Sequence, residues 1–269
     1  MSKIYGKNVF ITGASSGIGK ACADAFAKAG YNVTGVSRNC ETGKTDFPGG
    51  GSITMRRMDT TDESAVSKVI GELPETDIAI LCAGMGVAGP IEDLPMELAR
   101  QQFEVNYFGT LNCIRALLPA MRAKKNGLII IIGSIAGRVS IPMQSQYSAS
   151  KYALEALSDS LRMEVKGDNI KAVIIEPGDT KTGFTAARVP GIDASSPRYD
   201  LYKKSISKME KDEQTGKSPD TVAAVALKLA ERSNPPVRVA VGASYKALMF
   251  LLRLLPDRLR EFIISKMYL

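Results

Sequence analysis

The sequence predicts an α/β protein: one doubly wound parallel sheet of about seven strands, helices on both faces, and a helical extension at the C-terminus. Three observations carry that expectation. Short apolar runs at residues 8–12, 32–37, 53–58, 77–82, 128–133, 170–176 and 237–242 alternate with longer stretches of helical periodicity. The run at 128–133 (LIIIIG) is continuously apolar, as expected of a central strand covered on both faces. No Pro/Gly-rich linker divides the 269 residues, so residues 1–269 read as a single domain.

The first strand, 8–12 (NVFIT), runs directly into Thr12-Gly-Ala-Ser-Ser-Gly-Ile-Gly19. From Lys20 onward helical spacing aligns Ala21, Ala25, Phe26 and Ala29 on one stripe that stops at Gly30. With the strand at 32–37 this makes a Rossmann-type βαβ unit with a glycine-rich first turn. Glycine there lets backbone N–H groups approach a diphosphate, which sits at the positive end of a helix. Gly13, Ser15, Ser16, Gly17, Ile18 and Gly19 are therefore candidate cofactor contacts. Glycines also serve bare turns, but the flanking strand and helix favour nucleotide binding.

The second strand ends in Ser37-Arg38, where an NAD site would place an acidic residue for the ribose 2′-hydroxyl. A guanidinium and a hydroxyl suit a 2′-phosphate, so NADP(H) is expected ahead of NAD(H). A solvated loop arginine with Glu41 nearby is the reading that keeps NAD(H) as the alternative.

Residues 46–52 (DFPGGGS) form a turn-rich connection, and 61–71 a helix with a Thr-Asp start. The strand at 77–82 leads into Ala83-Gly84. A long helical region spans 95–125, interrupted or bent at Asn106. The strand at 128–133 delivers Ser134, the helix at 145–165 carries Tyr147 and Lys151, and the strand at 170–176 closes on Pro177-Gly178. In a sheet of this kind ligands bind beyond the carboxyl ends of the strands, which is where Gly13–Gly19, Arg38, Asp59, Gly84, Ser134 and Pro177-Gly178 fall.

Composition narrows the chemistry. Histidine is absent, which excludes a Ser-His-Asp hydrolase and any His-based acid/base mechanism; proton transfer must use Tyr, Lys, Asp, Glu or Cys. Four cysteines without a Cys-x-x-Cys pair argue against a disulfide framework or zinc site, and no metal is expected. The net charge of +7 is scattered rather than clustered with stacking aromatics, and tryptophan is absent, so nucleic acid is not an expected partner. No apolar run approaches the ~18 residues of a membrane span, and the first residues lack a signal-peptide core. A cytoplasmic protein is expected.

Tyr147 and Lys151 are four residues apart, on one face of a helix, where an ammonium can stabilise a phenolate. Tyr199 and Lys203 have the same spacing. The first pair follows a strand-end serine and the nucleotide loop, and it is the better candidate for passing a proton to or from an alcohol.

In this order, Thr12-Gly-x-x-x-Gly-x-Gly19, Asp59, Ala83-Gly84, Asn106, Ser134, Tyr147-x-x-x-Lys151 and Pro177-Gly-x-x-x-Thr182 resemble the short-chain dehydrogenase/reductase family over about residues 5–185. The resemblance implies an NAD(P)-dependent enzyme acting on CH–OH groups, with Asn106, Ser134, Tyr147 and Lys151 as catalytic residues. Ser134 would hold the substrate oxygen and Tyr147 would be its general acid or base. Lys151 would lower the tyrosine pKa and hold the nicotinamide ribose, and Asn106 would bend its helix and support a proton-relaying water. Asp59, with Thr60, would lie at the adenine, and Ala83, Gly84, Pro177, Gly178, Thr180 and Thr182 would line the cofactor, Thr182 at the carboxamide. The sequence departs from the family at Cys82, where asparagine is usual. A thiol cannot replace an amide's donors and acceptor, which puts the local sheet hydrogen bonding in question.

Residues 183–217 are expected to form a lid over the substrate. Ser218-Pro219 opens a helix to about Arg232. The tail, 243–269, holds two apolar segments split by Pro256; they pack on the domain or a subunit interface, wall the substrate pocket, or touch a membrane interface. The expected substrate is a lipophilic secondary alcohol or ketone such as a hydroxysteroid. Another lipophilic or small carbonyl (a retinoid, an acyl ketone) and a non-catalytic NADP(H)-binding sensor are the alternatives. A homodimer or homotetramer is expected.

Overall fold

The computed structural model describes residues 3–269. The main sheet has eight strands in the order β10-β8-β7-β5-β1-β2-β4-β3. These are β1 (Asn8–Thr12), β2 (Asn32–Ser37), β3 (Gly43–Asp46), β4 (Ser52–Arg57), β5 (Ile78–Leu81), β7 (Gly127–Ile132), β8 (Ile170–Glu176) and β10 (Arg238–Ala240). Seven run parallel, and β3 is added antiparallel to β4 at the edge. The expected seven strands are thus all present. The eighth carries no apolar signal, because its four residues (GKTD) are exposed and held by ladder hydrogen bonds alone. A separate two-residue ladder joins β6 (Val87–Ala88) to β9 (Val189–Pro190), tying the segment after Gly84 to the segment 183–217.

Two apolar layers sandwich the sheet. On one face α1 (Gly17–Lys28) packs with α7 (Asp220–Ala230), burying Phe26, Ala27, Val222 and Ala226 against β1, β5 and β7. On the other face α2 (Glu63–Gly71), α4 (Gly109–Lys124) and α5 (Ser145–Glu164) cover Phe10, Ile129 and Ile131. Fully buried aromatics such as Phe26 each contribute about 3–5 kcal/mol relative to alanine. Helix α2 begins at Asp62, whose carboxylate accepts the N–H groups of Ser64 and Ala65 at 2.9 and 3.0 Å.

The expected bend at Asn106 is a π-helical turn, Glu104–Phe108, between α3 (Met96–Phe103) and α4. A π-turn inserts one extra residue into the helix and is the usual cause of such a local deformation. Helix α6 (Tyr199–Gln214) lies within 183–217, and the tail forms α8 (Ala243–Leu254) and α9 (Asp257–Tyr268), separated at Pro256 as expected. Helix α9 packs on α6. Phe250, Leu251, Leu254, Leu259, Phe262 and Met267 are exposed on this tail.

Candidate active site

A single cleft opens at the carboxyl ends of the parallel strands. It is lined by Gly13, Ser15–Gly19, Ser37, Arg38, Asp59, Thr60, Ala83, Gly84, Ser134, Tyr147, Lys151, Pro177, Gly178, Thr180 and Thr182. Every candidate site residue except Asn106 is therefore on one surface, although they come from six strand-end connections and from helix α5.

The nucleotide end is built from backbone. Gly13 has φ +69°, and a Cβ there would lie 3.1 Å from the Ala83 backbone. A Cβ on Gly19 would overlap the Gly13 carbonyl oxygen, so the β1–α1 turn closes only with glycine at both positions. Ser16 is the N-cap of α1 in extended conformation and makes no side-chain cap bond. The first-turn N–H groups are thus left to an external anion. Ser15 donates its hydroxyl to Ser37 at 2.9 Å, joining the turn to the end of β2. Arg38 beside it is exposed and makes no ion pair among the described residues. Asp59 uses one oxygen on the Thr61 N–H and hydroxyl, 2.9 and 2.8 Å away. A glycine cradle, a free helix N-terminus and an unpaired guanidinium fit a dinucleotide carrying an additional phosphate.

At the other end Ser134, Tyr147 and Lys151 converge. Ser134 ends the β7 connection and its Oγ accepts the Ala136 N–H at 3.1 Å. Lys151 is buried and donates to the Ile132 carbonyl at 3.0 Å, which holds the ammonium at the strand end. Its Nζ lies 5.7 Å from the Tyr147 ring centroid. Lys203 lies the same 5.7 Å from the Tyr199 ring, so distance does not separate the two pairs. Surroundings do: Lys203 is exposed on α6, while Tyr147 and Lys151 face the cleft.

Burial pushes the Tyr147 phenol up to about 12, with the Ser134 hydroxyl and Arg188 opposing and Glu213 and Cys82 reinforcing the rise. Burial also brings Lys151 down to about 8, against the raising effect of Cys82 and Glu155. Burial rather than Lys151 sets the Tyr147 value, so the expected depression by the lysine is not found in the protein itself.

Asn106 stands behind the cleft rather than in its lining. Its fully buried amide accepts the Met85 N–H at 2.8 Å and donates to the Met85 carbonyl and to Ser150 Oγ, each at 3.1 Å. Ser150 in turn donates to the Tyr147 carbonyl at 2.8 Å. Asn106 therefore fixes the strand following Gly84 to the helix that carries Tyr147 and Lys151. The question raised by Cys82 resolves locally: Thr12 Oγ1 accepts the N–H groups of both Cys82 and Ala83, at 2.9 and 3.0 Å. Burial holds the Cys82 thiol at about 11, a protonated filler rather than a nucleophile.

The profile described as short chain dehydrogenase matches residues 7–192. The chain belongs to the short-chain dehydrogenase family. Like its relatives it is an oxidoreductase acting on CH–OH groups. It is 36% identical to a 3-ketodihydrosphingosine reductase of Bacteroides thetaiotaomicron, over 97% of each chain. It is 34% identical to an NADPH-dependent 3-dehydrocapnine reductase of Ornithobacterium rhinotracheale, over 95% of each. The crystal structure of a short-chain dehydrogenase from Streptomyces avermitilis superposes with a TM-score of 0.81 at 28% identity, covering 98% of this chain and 97% of that one.

The cleft of this dehydrogenase also contains side chains that sequence reading did not single out: Phe184, Thr185, Glu213 and Tyr268. Phe184 packs its ring 5.6 Å from that of Tyr147. All four lie in 183–217 or the tail, far along the chain from Tyr147, in segments without a motif. Only the expectations that 183–217 closes over the substrate and that the tail can wall its pocket pointed toward them.

Proposed function

We propose that this chain is an NADP(H)-dependent reductase interconverting a ketone and a secondary alcohol on a lipophilic, long-chain molecule. The observation that carries the reading is the shared cleft: the Ser134 hydroxyl and Tyr147 phenol stand beside Lys151, opposite a cradle for a dinucleotide. Ser134 hydrogen-bonds the substrate oxygen and Tyr147 transfers a proton to it. A phenol held up to about 12 is protonated at neutral pH, so the resting chain is poised as the acid required for ketone reduction. The bound cofactor supplies the hydride. Lys151, fixed by the Ile132 carbonyl, holds the nicotinamide ribose and stabilises the negative charge left on the phenol as its proton departs.

The unpaired Arg38, beside Ser37 at the end of β2, supports NADP(H) over NAD(H) because a 2′-phosphate supplies the anion it lacks. Both relatives carry in their names a ketone at carbon 3 of a chain lipid, which favours an acyl-chain ketone ahead of the hydroxysteroid expected from sequence. A cofactor sensor without turnover is the contrasting reading, and the intact Ser134, Tyr147 and Lys151 weigh against it. The test is nicotinamide absorbance with purified protein, NADPH or NADH, and a panel of long-chain 3-ketones, ketosteroids and retinal. NADPH consumption greatest on the long-chain ketones is expected; NADPH binding with no consumption across the panel overturns the reading.

The tail fits the same substrate class. Among the described residues no helix is long and apolar enough to cross a membrane. The exposed Phe250, Leu251, Leu254 and Phe262 are accompanied by Lys246, Arg253, Arg258 and Lys266, a pairing that suits the interface of an anionic bilayer. We read α8 and α9 as resting on such a surface. Exposed Phe108, Tyr152 and Met163, near and on α5, support a homo-oligomer formed elsewhere on the molecule.

A further inference from the structure

Gly178, in the wall of the cleft, is crowded by the C-terminal tail. It lacks the left-handed φ that calls for glycine at Gly13 and Gly17. A Cβ on Gly178 would instead lie 2.3 Å from the ring of Tyr245, in the first turn of α8. The hydroxyl of that ring accepts the Asp179 N–H at 3.0 Å and donates to the Asp179 carboxylate. Burial, reinforced by Asp179, pushes the phenol pKa up, so the hydroxyl keeps the proton it donates. One tail residue thus holds both the backbone and the side chain of a residue that lines the cleft. The segment it holds crosses the reacting half of the site. At one end the Pro177 carbonyl accepts the Ile135 N–H at 3.0 Å, next to Ser134. At the other, Thr182 packs on the β1–α1 turn, where a Cβ on Gly17 would lie 3.4 Å from it. Ser37 and Arg38 stand on the opposite side of β1, at the end of β2.

We propose that Tyr245 is a positioning residue for the cofactor: through Gly178 and Asp179 it sets segment 177–182 against the nicotinamide half, which makes the tail part of the cofactor site. The proposal rests on the NADP(H) reading given above. The far edge of the segment is paired independently, Lys217 N–H donating to the Asp179 carbonyl at 3.1 Å and Lys181 N–H to the Lys217 carbonyl at 2.9 Å. Loss of the Tyr245 hydroxyl therefore loosens the segment without releasing it. A loosened segment is in the binding arrangement for only part of the time, and affinity falls by that fraction. The adenine end, across β1, does not sense the change.

The test is calorimetric titration of the full chain with NADPH and with adenosine 2′,5′-bisphosphate, which has the adenine and the 2′-phosphate but no nicotinamide. Tyr245→Phe keeps the ring on Gly178 and loses both hydrogen bonds. It is expected to bind NADPH roughly 10-fold more weakly than the parent, the size of one hydrogen bond to a charged group. Its affinity for the bisphosphate is expected to stay within about two-fold, a split that general destabilisation does not produce. Asp179→Ala removes the partner carboxylate, and the double variant is expected to bind NADPH no more weakly than the weaker single one. Equal weakening of both ligands, unchanged NADPH affinity in Tyr245→Phe, or losses that add in the double variant each overturn the proposal. A parent that binds neither ligand refutes the underlying cofactor reading instead.

Discussion

Replacing Lys151 by methionine separates the requirements of the site from those of the fold. In the cofactor-free protein Lys151 is brought from 10.5 down to about 8 by burial. A lysine whose folded pKa lies below its unfolded one leaves the unfolded chain holding more protons between the two values. Stability therefore rises with pH across that window, and the full cost is present below about pH 8. A fall of about 2.5 pH units corresponds to about 3 kcal/mol. Methionine also removes the bond to the Ile132 carbonyl, a loss of about 1 kcal/mol that does not vary with pH. The informative quantity is consequently the pH dependence of the difference between parent and variant. Urea denaturation at pH 7 to 10 measures it. The parent is expected to gain about 2–3 kcal/mol relative to Lys151→Met over that range. A difference that is flat with pH, or that falls, refutes the assignment of Lys151 as a desolvated cation.

Three further variants probe other parts of the account. Arg38→Asp should weaken NADPH binding roughly 100-fold and leave NADH binding little changed, by removing one charge-assisted contact and adding repulsion; fluorescence titration with both cofactors checks it. Asn106→Ala leaves the buried Met85 N–H and carbonyl without their partner and should cost about 2–4 kcal/mol in chemical denaturation. The parent should sediment with vesicles containing anionic lipid, less so at high salt, and Phe250→Asp with Phe262→Asp should abolish it. A parent that stays in the supernatant while the variant changes oligomeric state would assign the tail to a subunit interface.

The cofactor half of the cleft was legible because its chemistry is local. The β1–α1 turn has to contain glycine where a side chain would meet the Ala83 backbone or the Gly13 carbonyl, and that requirement shows as a fixed spacing. The uninterrupted apolar run of β7 likewise announced a central strand. Asn106 was legible as a helix interruption, but its partners were not. The bonds to Met85 and Ser150 join segments 21 and 44 residues away. Strand β3 escaped because four exposed residues at a sheet edge carry no burial pattern. The substrate wall escaped for a related reason. Glu213 and Tyr268 reach the cleft through the packing of α6 and α9, Phe184 enters from the turn before β9, and no single stretch of sequence records that meeting.

The central claim is that the Tyr147 hydroxyl carries the proton in a chain with no histidine to do so. Single-turnover decay of NADPH absorbance, on whichever ketone the parent reduces, tests it in the parent and in Tyr147→Phe, with NADPH affinity measured in parallel. The variant is expected to bind NADPH within about two-fold of the parent and to react roughly 10²- to 10⁴-fold more slowly. Decay at a rate comparable to the parent's would contradict the claim.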